Sequence, residues 1–283
     1  MLRFMAWVAQ TLGRRVARAL LYPICLYYIC RSGKANRTLR QYYVRVQGSL
    51  PDWPHLFRHY YCFASTILDR VYFLRHRFNQ FDIRIHGMDA LDRALAGGRG
   101  CLLVGSHLGS FEVVRAVGLS RERIEVKVLM DEHNAPLIRG LIQELNPEVA
   151  GTVIQVGGID TMLQVQECLN RGGVVGIMGD RLMPHDRYVQ CEFLGALAAF
   201  PTGSIRLAHI TGAPLLVFFG LYRGGNRYDV RLELLGESIR IASEREDESF
   251  RQWTQRYADR LAYYSREAPD NWFNFYDFWQ SPR

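Results

Sequence analysis

Short apolar runs alternate with amphipathic segments along most of the chain. Strand-like runs cover residues 81–85, 100–105, 124–130, 152–156, 174–178, 214–222 and 228–235. Helix-like segments cover residues 55–78, 89–96, 110–117, 136–145, 160–170, 202–210 and 243–265. Because the runs are short and buried strands of parallel sheets are apolar, this alternation predicts an α/β fold: a mostly parallel central sheet flanked by helices. The last two strands are expected to form an antiparallel pair.

The first 50 residues break this pattern. Residues 19–30 form an apolar run of 12 residues, with Arg18 before it and Arg31 after it. A membrane-spanning helix needs about 20 such residues, and Pro23 would bend a helix here. The pattern favours an interfacial or shallowly inserted helical pair. The alternative is a helix that packs on the protein's own core.

The charge distribution separates the same segment from the rest. The chain has 283 residues and a formal net charge of +7, but residues 1–50 hold nine Lys and Arg and no acid, so the remainder carries −2. A basic, apolar terminal segment suits an anionic membrane surface rather than nucleic acid, which usually requires a basic face on the folded domain. We therefore divide the chain into a membrane-associating segment, residues 1–50, and an α/β domain, residues 51–283.

Composition excludes several classes of protein. With 48% hydrophobic and 22% charged residues, the chain is neither disordered nor a polytopic membrane protein. Its six cysteines form no CxxC pair and have no zinc-ligand spacing with histidine. The sequence therefore predicts a reducing compartment, no metal site and no cofactor.

The loop after the run at 100–105 carries candidate chemistry. It reads GSHLGSFE, with His107 and Glu112 separated by four residues. If His107 lies in the turn before a helix and Glu112 in its first turn, the carboxylate can accept the proton of one imidazole nitrogen and leave the other as a base. No serine here sits in a G-x-S-x-G elbow, so the nucleophile is expected to be a substrate hydroxyl. Ser106 and Ser110 are candidate substrate contacts.

A second polar loop follows the run at 174–178. Asp180 and Arg181 come directly after Gly179, and ligands of such sheets bind at the carboxyl ends of strands. The two side chains are candidates for binding a polar or phosphorylated substrate. An equally weighted alternative is that the two side chains form an ion pair that only orders the loop.

Together these loops resemble a known family. HLGSFE after one strand, GDR after a later one, and then FLG at 193–195 and PTG at 201–203 resemble the bacterial lipid A biosynthesis (late) acyltransferases of the lysophospholipid acyltransferase superfamily. The resemblance covers roughly residues 5–280. It implies transfer of a fatty acyl chain from a thioester, usually acyl carrier protein, to a hydroxyl of a lipid or glycolipid, with His107 as general base and Glu112 orienting it. It also implies the cytoplasmic face of a bacterial inner membrane.

Some residues depart from the family pattern. Ser110 stands where the family more often has Asn, the acid–Arg loop differs from the Asp-x-Asp form of enzymes acting on lipid A, and the ending NWFNFYDFW resembles relatives in aryl-polyene-type pathways. These differences leave the acceptor open. The alternatives are a glycerophospholipid (lysophospholipid) acyltransferase, a non-catalytic membrane-associated scaffold of the same fold, and a hydrolase.

Overall fold

A seven-stranded sheet forms the centre of the computed structural model, which describes residues 2–120, 124–131, 140, 142–157, 160–183 and 186–280. Its strands are β1 (Asp82–His86), β2 (Cys101–Gly105), β3 (Val126–Asp131), β4 (Val153–Val156), β5 (Val174–Met178), β8 (Leu215–Tyr222) and β9 (Arg227–Gly236). Their spatial order is β1-β9-β8-β2-β5-β3-β4, and every neighbouring pair is parallel except β8 with β9. The mostly parallel sheet and the antiparallel closing pair are therefore confirmed.

A separate two-stranded hairpin was not predicted from the sequence. Strands β6 (Tyr188–Phe193) and β7 (Ala196–Pro201) pair antiparallel through a tight turn. Leu194 and Gly195 both have positive φ there, at 50° and 79°, as in the two-residue turns that suit the twist of paired strands. Glycine or asparagine usually occupies the first of these positions, and because leucine occupies it here, the sequence does not indicate a turn.

Helices cover the sheet and form the N-terminal region. They are α1 (Leu2–Thr11), α2 (Gly13–Arg31), α3 (Gly33–Gln47), α4 (Trp53–Leu74), α5 (Met88–Leu95), α6 (Val114–Ser120), α7 (Pro147–Ala150), α8 (Thr161–Asn170), α9 (Gly203–Thr211) and α10 (Glu246–Glu267). The helix expected at 110–117 begins as a 3-10 turn, Phe111–Val113, and continues as α6. Half of the helix expected at 136–145 lies outside the described residues, and its described positions, 140 and 142–145, are helical.

The sheet separates two apolar cores. All five residues of β2 are buried: Leu103 belongs to one core, while Leu102 and Val104 belong to the other. This follows from the pleat, which sends successive side chains to opposite faces. The first core includes α4 and the inner residues of α2, and the second includes α3 and α10. The fold is therefore a three-layer α/β/α sandwich.

Helix α2 has two different faces. Its inner face is buried against the domain through Ala17, Leu21, Cys25 and Ile29. Arg14, at the start of α2, forms a bidentate ion pair with Asp69 of α4, with both N···O distances 2.7 Å. On this inner face α2 packs on the protein's own core, which is the alternative to an interfacial helix given in the sequence analysis.

The outer face of α2 is apolar and exposed. It carries Val16, Leu20, Leu26 and Tyr27, which are between 36% and 62% exposed. Within the described residues, no helix combines the length and the apolarity needed to cross a bilayer.

Candidate active site

The polar loops after β2 and β5 lie side by side at one edge of the sheet. These two strands are parallel neighbours, and their last residues, Gly105 and Met178, are paired in register. Gly179 N–H donates to the Gly105 carbonyl at 2.9 Å, so the pairing continues one residue further. A side chain at 179 would collide with Val104 Cγ2 at 2.5 Å, so a glycine is required there. His107 and Asp180, each two residues beyond a paired strand end, are thereby brought together.

Asp180 binds His107 through both of its carboxylate oxygens. Oδ1 lies 2.8 Å from the imidazole Nδ1, and Oδ2 accepts the backbone N–H of His107 at 2.9 Å. The Asp180 side chain is 2% exposed, whereas that of His107 is 29% exposed. The carboxylate is thus held inside the protein while the imidazole reaches the surface of the site.

The ionisation of Asp180 determines which imidazole nitrogen carries the proton. Burial acts to raise the pKa of Asp180, but the charge and hydrogen bonds of His107, helped by Arg181, outweigh it and hold the pKa below its ordinary value. An ionised carboxylate can only accept hydrogen bonds, so Nδ1 is the donor. In the neutral ring the lone pair is then on Nε2, which makes no hydrogen bond to any residue described here. This is the arrangement of a general base.

The hydrogen bond predicted between His107 and Glu112 does not form in this structure. Glu112 lies in the 3-10 turn that precedes α6, and its side chain points towards two arginines instead. Oε2 is 3.3 Å from Arg115 Nε, and Oε1 is 3.4 Å from Arg70 Nε on α4. A buried carboxylate needs a cation close by. The two arginines supply this charge for Glu112, whose side chain therefore points into the helical layer and away from the imidazole. The catalytic role of Glu112 stays a prediction.

The two candidate serines lie inside the loop. Ser106 is 3% exposed, and its Oγ accepts the backbone N–H of Leu108 at 3.2 Å. Ser110 is 6% exposed, and its backbone N–H donates to the Gly220 carbonyl at 2.8 Å. Gly109, between them, has a φ of +75°, and a Cβ there would lie 2.0 Å from the Gly220 carbonyl oxygen. These contacts fix the loop against β8; direct substrate contacts of Ser106 and Ser110 stay a prediction.

Arg181 does not pair with Asp180 through a direct salt bridge among the described contacts. Its Nη2 donates to the Phe273 carbonyl at 2.8 Å, and its guanidinium carbon lies 5.8 Å from the centre of the Tyr276 ring. Its Nε is buried and has no hydrogen-bond partner in the described part of the chain. The side chain is therefore only partly satisfied, which fits a cation that receives a further acceptor. Binding of an anionic substrate group stays a prediction.

Two aromatic residues donate hydrogen bonds to the polar loops, a role that was not predicted for either of them from the sequence. Trp272 is 1% exposed and donates its indole N–H to Asp180 Oδ2 at 3.2 Å. Tyr257 of α10 donates its hydroxyl to the Gly105 carbonyl at 2.8 Å, and burial raises its pKa well above the ordinary value, so it stays a donor. Both residues come from the last 30 residues of the chain, and only the long-range topology brings them to the site.

A comparison with models of protein families gives a match over most of the chain. The family model described as bacterial lipid A biosynthesis acyltransferase matches residues 61–281, well over half of the chain and including both loops. No curated protein matches the chain.

Proposed function

Because the chain belongs to the bacterial lipid A biosynthesis acyltransferase family, whose members transfer acyl groups, we propose that it transfers a fatty acyl chain from an acyl thioester, such as acyl carrier protein, to a hydroxyl of a lipid or glycolipid. One observation carries the proposal. It is the buried Asp180 on His107 Nδ1, which leaves Nε2 with a lone pair at an accessible position.

The reaction needs one base and no protein nucleophile. An acceptor hydroxyl hydrogen-bonds His107 Nε2, which takes its proton as the oxygen attacks the thioester carbonyl carbon. The imidazolium that forms is stabilised by the Asp180 carboxylate. When the tetrahedral intermediate collapses, the C–S bond breaks and the imidazolium returns the proton to the thiolate. The products are an ester and a free thiol, and the base is restored.

The loop geometry narrows the choice of oxyanion donors. Backbone N–H groups of residues 107–110 donate to Asp180, Ser106 Oγ and two carbonyls, and Gly179 N–H donates to Gly105. Within these two loops, the N–H groups of 180–182 make no described hydrogen bond. We assign the stabilisation of the developing negative charge to them, together with the partly satisfied Arg181.

Substitution of the base tests the reaction. His107→Ala is expected to reduce acyl transfer from an acyl carrier protein thioester to extracted membrane lipids by about 10³-fold, while the unfolding temperature stays near that of the wild type. Wild-type turnover by this variant would exclude His107 as the base. Lipid analysis of a strain that lacks the gene identifies the acceptor: the lipid that loses one acyl chain separates a lipid A-like or aryl-polyene-type acceptor from a glycerophospholipid. A folded wild-type protein with no transfer would favour the scaffold alternative.

The outer face of α2 is proposed to rest on the membrane that holds the acceptor. Its exposed apolar residues are flanked by Arg15 and by Arg31, both exposed, a combination that binds anionic lipid surfaces. We place the enzyme on the cytoplasmic face of the inner membrane. The double substitution Leu20→Glu with Leu26→Glu changes only exposed positions. It should abolish flotation with anionic vesicles without changing the unfolding temperature, whereas unchanged flotation would contradict this placement.

A further inference from the structure

Three residues near the C-terminus cross the catalytic loop. We call residues 271–273 the strap. Phe273 N–H donates to the His107 carbonyl at 2.9 Å, and Gly109 N–H donates to the Asn271 carbonyl at 2.8 Å, so the strap pairs with the loop like a short antiparallel strand. The side chain of Asn271 bonds the backbone of Tyr222 at both its N–H and its carbonyl. The strap is thereby fixed between β8 and the base.

Trp272, the middle residue of the strap, reaches the carboxylate of Asp180, which together with His107 we call the dyad. The indole N–H of Trp272 donates to Asp180 Oδ2, the same oxygen that accepts the His107 backbone N–H. The indole ring is held by aromatic neighbours: the ring centroids of Tyr42, Phe193 and Phe278 lie between 5.0 and 5.2 Å from its own. The direction of the N–H is therefore set by packing on several sides.

The other polar groups that face Asp180 come from different elements. They are His107 from the loop after β2, Arg181 from its own loop, Tyr257 from α10, and Tyr276 beyond the strap. Of these groups only His107 makes hydrogen bonds to the carboxylate within the described part of the chain, and Trp272 adds the remaining side-chain donor. With Oδ2 held by two donors, rotation of the carboxyl group would break both bonds, so Oδ1 is kept on Nδ1 of the imidazole.

We propose that Trp272 is a positioning residue for acyl transfer, whose indole N–H holds the Asp180 carboxylate in the orientation that keeps Nδ1 protonated and Nε2 free. This rests on the proposed function. Its action is indirect, since Trp272 contacts neither the acceptor nor the thioester in this mechanism. Its contribution is therefore in kcat rather than in KM.

Kinetics of a variant without the N–H provide the first test. Trp272→Phe keeps an aromatic ring but removes the donor, and is expected to lower kcat about tenfold, the effect of one hydrogen bond to a charged group, with KM unchanged. Trp253→Phe is the matched control. Trp253 also donates its indole N–H to an acceptor, the Arg240 carbonyl at 3.3 Å, but it lies outside the site, so its kcat should equal that of the wild type. An unchanged kcat in Trp272→Phe overturns the proposal.

A double substitution separates positioning from packing. In an Asp180→Asn background there is no ionised carboxylate to position, so adding Trp272→Phe is expected to change kcat by less than about twofold. A further tenfold loss in that background would show that the ring acts by packing alone. If Trp272→Phe does not fold, replacement of Trp272 by 3-benzothienyl-alanine, which keeps the shape of the indole without its N–H, gives the same comparison.

Nuclear magnetic resonance of the imidazole gives a readout that does not depend on activity. In the wild type the ¹⁵N shifts of the His107 ring should show a single tautomer protonated at Nδ1, and in Trp272→Phe they should move towards a mixture of both tautomers. An unmoved spectrum overturns the positioning role even if the substrates are misassigned. If the tautomer shifts as expected but the wild type transfers no acyl group, the positioning is correct and the proposed function fails.

Discussion

Two buried carboxylates, Asp180 and Glu112, were both selected from the sequence as candidate site residues, yet their surroundings differ. Asp180 accepts hydrogen bonds from an imidazole, a backbone amide and an indole. Glu112 faces two guanidinium groups, those of Arg115 and Arg70. A carboxylate on a titratable imidazole can support catalysis directly, whereas a carboxylate held between two permanent cations is expected to act mainly on stability. Proximity in sequence to His107 therefore does not identify its partner.

Of the substitutions that compare the two carboxylates, Asp180→Asn has the larger expected effect on kcat. Asp180→Asn keeps the shape of the side chain but removes its charge, so the protonated state of Nδ1 is no longer enforced and the imidazolium loses its counterion. We expect kcat to fall roughly 10²- to 10³-fold with a small change in KM. Steady-state kinetics with a fixed thioester donor measure this. Activity within about threefold of the wild type would refute the dyad.

Glu112→Gln should have the opposite profile. The change leaves two arginines without their counterion in a largely buried position, so the free energy of unfolding is expected to fall by about 3 kcal/mol. At temperatures where the variant is folded, kcat should stay within about tenfold of the wild type. Chemical denaturation and kinetics on the same sample test both parts. A kcat loss as large as that of Asp180→Asn would return Glu112 to the catalytic role that its spacing predicts.

A second histidine, His59, has no carboxylate bound to its ring within the residues that the structure describes, and its pKa is lowered. His59 of α4 is fully buried, its Nε2 has no hydrogen-bond partner among the described residues, and Nδ1 lies 3.3 Å from the Tyr43 hydroxyl. Burial lowers its pKa to about 4, against the opposing effects of Asp270 and of the Trp272 backbone. His59 therefore takes up a proton below about pH 6.5 in the unfolded chain but only below about pH 4 in the folded protein.

This difference predicts acid sensitivity of the fold. Between pH 7.5 and pH 5 the free energy of unfolding should fall by about 2 kcal/mol through His59 alone, because the unfolded state takes up more protons. His59→Phe, measured by denaturant unfolding at both pH values, should remove most of that decrease. If the variant keeps the full pH dependence, other groups cause it.

The smallest expected effect is at Ser106. Ser106→Ala removes the acceptor of the Leu108 N–H, and the expected cost is about 1 kcal/mol of stability with an unchanged KM. A clear increase in KM would instead support the direct substrate contact that the sequence predicts for Ser106.

The sequence predicted the fold well where the local pattern determines it. The short apolar strands and the antiparallel end of the sheet follow from runs such as residues 100–105 and 174–178, and the structure confirms them. The hairpin β6–β7 was missed, since Leu194 occupies a positive-φ position that the sequence does not mark.

The candidate site was found only in part. His107 and Asp180 were both selected, but not as a pair, because their contact depends on β2 lying next to β5 in register, and strand order is not written in local periodicity. Their equal offset of two residues from the strand ends is the signal that would have joined them. Trp272 lies 92 residues from Asp180, and no local pattern connects the two.

The hydrogen bonds of α3 bear on how this protein can be shortened. Tyr42 donates to the Pro269 carbonyl at 3.0 Å, and Tyr43 donates to Asp270, which also pairs with Arg58. Residues 269 and 270 lead directly into the strap. The N-terminal region therefore supports the strap behind His107 and also carries the exposed face of α2. A shortened protein beginning at residue 51 would lose the exposed apolar face of α2 and the contacts that support the strap together. Point changes on the outer face of α2 therefore test the proposed membrane binding without disturbing the contacts of the strap.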